Sequence, residues 1–384
     1  MKFAPFLLLL VLVSCTKNQH INKSEKGVEH PDGAEACKFG RVVFNTSKRA
    51  ELSEAASKAP KTGTVDAGGP VAQNATILLT FNGYRVAHTP WNTVGDIVCT
   101  GANLTSAEIE KIMTRVKEDF APFNVTVTTD ELTYQLTNPQ KRMRVIITES
   151  WEWHGLAGGV AFYDSFSWGN NTPCFVFSTL LSYNEKFIAE AISHEVGHTL
   201  GLRHQSSYNS SCSILNEFNE GAGEGQTGWA PIMGLSYYRN VTTWHKGKTT
   251  GCGTEQDDVA KITSVLGLKN DETGTLDNPV TLESSHYAVI NNSTDADYYY
   301  IDSKEPVTIT ASPKCIGNDV GANMHLQVKV FKRNGQLVTT LSDPAQLTVS
   351  KQLEKGKYYV AVESMDNANQ SRYGMLGNYR ISIN

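Results

Sequence analysis

At 384 residues the chain is long enough for two ordinary domains, each with its own core. Its 34 basic and 39 acidic residues leave a formal net charge of -5, with no long block of either sign. Such a balance carries no footprint of a nucleic-acid partner or of another polyelectrolyte.

The N-terminus reads as an address rather than as fold. Lys2 precedes an apolar run from Phe3 to Val13, too short to span a bilayer as a mature helix but suited to a secretory signal. The run ends Leu12-Val13-Ser14-Cys15, which resembles the lipobox of bacterial lipoproteins. That resemblance implies a signal peptide over residues 1–14, acylation of Cys15, and a lipid anchor in the bacterial cell envelope (outer membrane or cell surface), with release to the medium as a variant. An ordinary cleaved signal with an incidental cysteine is the competing reading. Residues 15–72 are rich in Lys, Asn, Ser, Gly and Ala with few apolar runs, and read as a tether or pro-region.

Without Cys15, the cysteines are Cys37, Cys99, Cys174, Cys212, Cys252 and Cys315. An even number in a secreted chain points to disulfides, and many pairings are open. The expected pair is Cys212 with Cys252, which would close a loop around the segment after the histidine pattern described below.

Regular structure is predicted from about Ala75. Thr76–Phe81 reads as a buried strand ended by Asn82-Gly83. Ile109, Ile112, Met113, Val116 and Phe120 share one helical face over 106–120, with Thr105 or Ser106 as cap and Pro122 as stop. Val125–Thr128, Arg144–Thr148, Gly158–Phe162 and Phe175–Phe177 read as further strands. A second long helix runs from about Asn184 to Leu200, giving a mixed sheet with two long helices. Gln256–Leu266 reads as a closing helix with Asp257 and Asp258 in its first turn.

The second helix carries His194-Glu195-Val196-Gly197-His198, followed by Gly201 and His204. His194 and His198 are four apart and share a helical face, so both imidazoles can bind one tetrahedral Zn²⁺. Gly201 lets the chain leave the helix through a positive-φ turn, which returns His204 as a third ligand. The open fourth position suits a water whose pKa zinc lowers toward ~7. Glu195 is placed to take that water's proton and pass it to a leaving amine, so the implied reaction is peptide-bond hydrolysis on a protein or peptide substrate.

This pattern resembles that of the metzincin zinc endopeptidases. The resemblance implies an α+β metzincin-like catalytic domain with a mixed sheet, an active-site helix and a Met-turn. Ala230-Pro231-Ile232-Met233-Gly234 fits the Met-turn, with Met233 as an apolar floor under the histidines. Glu118–Thr129, Gly158–Ala161 and Trp229–Gly234 are similar to segments of secreted bacterial reprolysin-like (adamalysin-related) peptidases. Two positions depart from known subfamilies: Gln205 stands where adamalysins have Asp, and Leu235 where astacins have Tyr. Tyr237 and Tyr238 are near enough in sequence to serve as oxyanion stabilisers or as packing residues. The resemblance also implies that substrate adds as a strand along a sheet edge, which makes Gly158, Gly159 and Val160 the candidate edge; a glycine-rich turn into a strand is the plainer reading. Asn219–Thr227 reads as a wall of the cleft, with Ca²⁺ as a further candidate ligand there. For Cys37 three readings stand: a thiolate that caps the zinc as a latency switch, a disulfide partner, or a spare thiol.

After a polar linker at 269–274 the pattern becomes all-strand. Tyr287–Ile290, Tyr298–Ile301, Val307–Thr310, Leu326–Phe331, Gln336–Thr339, Leu347–Val349, Tyr358–Val362 and Tyr379–Ile383 predict a β-sandwich over 275–384. It resembles the bacterial pre-peptidase C-terminal domain at Asp297–Tyr300, Gly356–Val362 and Gly377–Tyr379. Its clustered tyrosines read mainly as core, with a glycan- or surface-binding face as the alternative. The expected whole is a zinc metallopeptidase domain over 73–268 followed by the sandwich. The rival function is a cell-surface binding protein on a metzincin scaffold with little proteolysis, which would have no need of Glu195.

Overall fold

The computed structural model describes the backbone of residues 34–36, and residues 74–271, 273–315 and 320–384. The expectations for residues 1–14, Cys15 and Cys37 lie outside these. Among the described residues no helix is long and apolar enough to cross a membrane.

The chain runs β1 (Ala34–Ala36), β2 (Ala75–Thr80), β3 (Tyr84–Val86), β4 (Ile97–Cys99), α1 (Ser106–Asp119), β5 (Val125–Thr128), α2 (Glu131–Leu136), β6 (Arg142–Thr148), β7 (Gly159–Phe162), β8 (Cys174–Phe177) and α3 (Glu185–Thr199). Six of the strands form one sheet in the order β1-β7-β8-β6-β2-β5. Its β8, β6, β2 and β5 are mutually parallel, while on one side β7 runs antiparallel to β8 and β1 antiparallel to β7. The parallel part needs helical cover on its faces, which explains the apolar runs of β2 and β6. Thr105 starts α1 through a reciprocal capping box with Glu108, and Asn184 caps α3 by accepting from Lys186 and Phe187. Every residue of α3 from Ile188 to Thr199 is buried. The helix with the histidine pattern is therefore central, packed against α1 on one side and β7 and β8 on another.

After α3 come short pairs: β9 (Ser207–Tyr208) with β10 (Ile214–Asn216), β11 (Trp229–Pro231) with β12 (Val241–Thr243), and β13 (Lys246–Lys248) with β14 (Glu255–Asp257). Then α4 (Asp258–Leu266) follows, capped by Asp257. Cys212 and Cys252 form the expected disulfide, Cα atoms 5.4 Å apart, tying the β9–β10 turn to the β13–β14 turn.

Two antiparallel-rich sheets make up the second half. One is β15 (Val280–Thr281), β17 (Ala296–Ser303), β22 (Gly356–Ser364), β19 (Leu326–Phe331) and β20 (Leu337–Leu341), in that order; the other is β16 (Ser285–Ile290), β23 (Gly377–Ile383), β18 (Val307–Pro313) and β21 (Val349–Leu353). Burial alternates along β19, with Leu326, Val328 and Val330 inward, as a half-buried strand requires. The strand expected at 347–349 starts at Val349 and runs on to Leu353; Leu347 is buried ahead of it. Tyr299 and Tyr379 lie inside, hydroxyl to hydroxyl at 2.6 Å, and the Tyr379 hydroxyl also donates to Asp297. Those two tyrosines are core; Tyr287 is exposed.

The halves share one apolar core that runs from Ile77 and Val196 through Trp244 to Val328 and Tyr379. The polar linker is itself held: the Lys269 amide donates to the Pro122 carbonyl and the Tyr298 amide to that of Gly274, each at 2.8 Å.

Candidate metal centre

The helix ends so that three imidazoles converge. His194 and His198 project from the last turns of α3. Gly201 sits at φ +85, a conformation that favours glycine, and the Leu202 amide closes back on the Gly197 carbonyl at 3.0 Å. This turn carries His204 back over the helix. One ring nitrogen from each of His194, His198 and His204 lies within 4.8 Å of the other two, and the Nε2 atoms of His198 and His204 are 3.0 Å apart.

The opposite nitrogens are fixed by backbone. His194 Nδ1 lies 2.8 Å from the Ile232 carbonyl oxygen, and His198 Nδ1 lies 2.8 Å from that of Leu202. A carbonyl only accepts, so each Nδ1 carries the proton and each Nε2 presents a lone pair inward. Phe218 packs on His204 at 4.5 Å between ring centres. Burial, then the neighbouring His198, holds His194 down to about 3; burial holds His198 down to about 4 and His204 well below the ordinary value. Three neutral, buried, convergent imidazoles are the donor set that a tetrahedral zinc ion takes.

Glu195 is buried beside them. A Cβ on Gly159 would lie 2.6 Å from the Glu195 Cγ and Oε1. The space given up by that glycine is therefore filled by the Glu195 side chain. Gly158, Gly159 and Val160 do lie at the margin of the sheet, but β7 is not bare: β1 pairs with it antiparallel, Ala34 opposite Phe162 and Ala36 opposite Val160.

Met233 lies under the helix. A Cβ on Gly197 would come within 2.5 Å of its sulfur. A narrow cleft, with about 10 Å³ open to a water-sized sphere, lies beside His194 and Glu195, walled by Phe218, Leu235, Ser236 and Tyr237. Tyr237 is thus in the cleft wall, backed by Phe187, while Tyr238 points outward at 69% exposure.

Several members carry no spacing signal. Gln205 donates its amide to Asp258 Oδ1 at 3.0 Å and to the His245 carbonyl at 3.1 Å, which ties the residue after His204 to α4. Glu190, one turn before His194, accepts from Arg115 at 2.6 Å and Lys186 at 3.1 Å. Asn219 joins the Gln205 carbonyl to the turn after Met233. No carboxylate cluster forms over 219–227 among the described residues, so nothing there supports the calcium expectation; the acidic trio Asp271, Asp295 and Asp297 lies elsewhere, at the start of the second half.

Residues 89–234 match the model of a family described as dual-action HEIGH metallo-peptidases. The match spans α3, His204 and Met233, and it supports a zinc-dependent metallopeptidase. No curated protein matches the chain significantly. Among solved structures, the pre-peptidase C-terminal domain of a collagenase from Bacillus anthracis is similar over 30% of this chain and 98% of its own, at 13% identity and a TM-score of 0.21. The g-type lysozyme inhibitor PliG of Aeromonas hydrophila is similar over 27% and 96%, at 12% identity and 0.20. CBM35 from Cellvibrio japonicus Abf62 is similar over 30% and 91%, at 12% identity and 0.17.

Proposed function

We propose that the chain is a secreted, zinc-dependent endopeptidase of the metzincin type, with its catalytic unit over 73–268 and a β-sandwich over 275–384. The observation that carries this reading is the convergence of three neutral, buried imidazoles beside a buried glutamate at the mouth of a cleft. His194, His198 and His204 would hold the metal. When bound, zinc supplies a Lewis acid and lowers the pKa of water toward ~7.

The chain's own residues do the rest. Glu195, held in the space left by Gly159, accepts the proton of the attacking water and returns it to the leaving amine. Met233 closes the site from below with an apolar surface. Substrate takes the edge of β7 that β1 covers, pairing as an antiparallel strand in place of β1, so that its backbone is aligned before chemistry begins. Leu235, Ser236 and Tyr237 then face the side chain next to the scissile bond, and Tyr237 rather than Tyr238 is the oxyanion candidate, because only Tyr237 lines the cleft. The apolar run before Cys15 supports lipid anchoring in a bacterial envelope as part of the same proposal.

The test is hydrolysis of a denatured protein such as casein. Activity is expected to vanish with chelator and return with zinc. Glu195→Ala is expected to keep stoichiometric zinc and lose roughly 10²–10⁴ in turnover. Stoichiometric zinc with no peptide cut by the wild-type chain would favour a binding protein on the same scaffold instead.

A further inference from the structure

The helix that carries His194 and His198 is gripped on its far side by the strand-rich half. Ser193, immediately before His194, donates its hydroxyl to Asp119 Oδ2 at 2.5 Å. The other oxygen of that carboxylate accepts from the Asn323 amide at 2.8 Å. Trp244 donates its ring N–H to the Asp119 carbonyl at 2.7 Å, and its ring lies 3.3 Å from where a Gly197 Cβ would be. A second route runs alongside. Glu190 accepts from the Thr242 hydroxyl at 3.2 Å, and the Thr242 amide donates to the Ala322 carbonyl at 3.1 Å. Two consecutive residues of the second half, Ala322 and Asn323, thus reach the metal-bearing helix through one intermediary each.

We propose that Asp119 is a positioning residue for the metal-bearing helix and that Asn323 sets its orientation from the strand-rich half. Asp119, Ser193, Asn323 and Trp244 are all buried, so water offers no substitute partner if one of them is removed. The geometry gives the contact its leverage. His194 and His198 turn together with α3, whereas His204 arrives on a separate segment. With the imidazoles about 6 Å from the helix axis, a rotation of about 10° moves their inner nitrogens by about 1 Å relative to His204. Hydrogen bonds to Ser193 and Glu190 oppose that rotation just before the first ligand.

The proposal rests on the metal-centre reading above, and its test needs no turnover. In the full chain, Asn323→Ala and Ser193→Ala are each expected to weaken zinc affinity about tenfold in competition with a chromophoric chelator, and to shift the visible absorption band of the Co²⁺-substituted protein. The two together should be no worse than the worse one alone, because both act through one carboxylate. The exchange Asp119→Asn with Asn323→Asp keeps one donor and one acceptor at that contact and should restore affinity and band. Asn378→Ala is the control. Asn378 holds neighbouring Glu118 at the same junction, through its backbone amide at 2.6 Å and side chain at 2.5 Å, and among the described residues neither hydrogen-bonds to α3. That variant should lower Tm but leave affinity and band alone. If Asn323→Ala also lowers Tm without moving either readout, the contact is only structural and the proposal is overturned. Should Asn323→Ala not fold, Ser193→Ala and the exchange decide by the same two readouts. A wild-type chain that binds zinc normally but cuts nothing would sink the endopeptidase reading and leave this one standing.

Discussion

Three imidazoles crowded around one point would repel each other if they carried protons, so their burial matters as much as their spacing. An exposed histidine takes up a proton near pH 6.5. In the fold, burial keeps His194 neutral to about 3 and His198 to about 4. The unfolded chain then binds more protons than the folded one below about pH 6.5. The stability owed to these groups is full above that value and is lost as pH falls toward about 4. Protons therefore compete poorly for the folded site. The expected outcome is zinc retention well below pH 6, with release near pH 4 as the fold gives way, read by zinc content and circular dichroism on the same samples. Release with a midpoint near 6.5 from a chain still folded would contradict it. At this scale His194, Glu195, His198 and His204 were legible in the sequence because a helix converts spacing directly into position. Asp119, Gln205 and Asn323 were not, because each acts on a partner far along the chain and leaves no periodic trace.

Elements divide by length in the same way. α1, α3, α4 and most sandwich strands announce themselves through caps and apolar periodicity. The hairpin of β3 and β4 and the single-turn-scale α2 are too short for a period to register, and the two residues of β15 are shorter still. The pairing of β1 with β7 has no local signal at all, since the partners are more than a hundred residues apart in the sequence. Under the proposed mode of substrate binding, that pairing bears on activity. β1 uses the hydrogen-bonding edge of β7 on which the proposed substrate strand depends. Proline at both Ala34 and Glu35 removes successive amide donors, one of which faces β7 in any antiparallel register. Such a variant is expected to cleave a short peptide at least several-fold faster at low substrate, through a lower KM. Equal KM values in the two chains would mean that residues 34–36 do not compete for that edge.

For the molecule as a whole, the two halves are joined by side-chain contacts as well as by the chain. Gln370 bonds His245 at 2.9 Å, Tyr373 bonds Asp257, Asn378 bonds Glu118, and Gly374 sits against the Trp244 carbonyl. Removing 275–384 would open the shared core and strand buried carboxyl groups at Glu118 and Asp119, which burial already pushes up to about 7. A chain ending at residue 274 is therefore expected to be insoluble or molten by near-ultraviolet circular dichroism, rather than a smaller active enzyme. A soluble, cooperatively melting product with full casein cleavage would show that the halves are independent after all.

Gly197 neither binds the metal nor ends the helix, yet it stands in the fourth place of the short string from His194 to His198. Its reason is the methionine sulfur that occupies the space where its side chain would be. Those five letters therefore store information about residue 233, well downstream in the chain. A search pattern that keeps two histidines and a glutamate recovers the proposed ligands and base but discards this record. One that also keeps the glycine retains the position that this chain leaves open for a thioether.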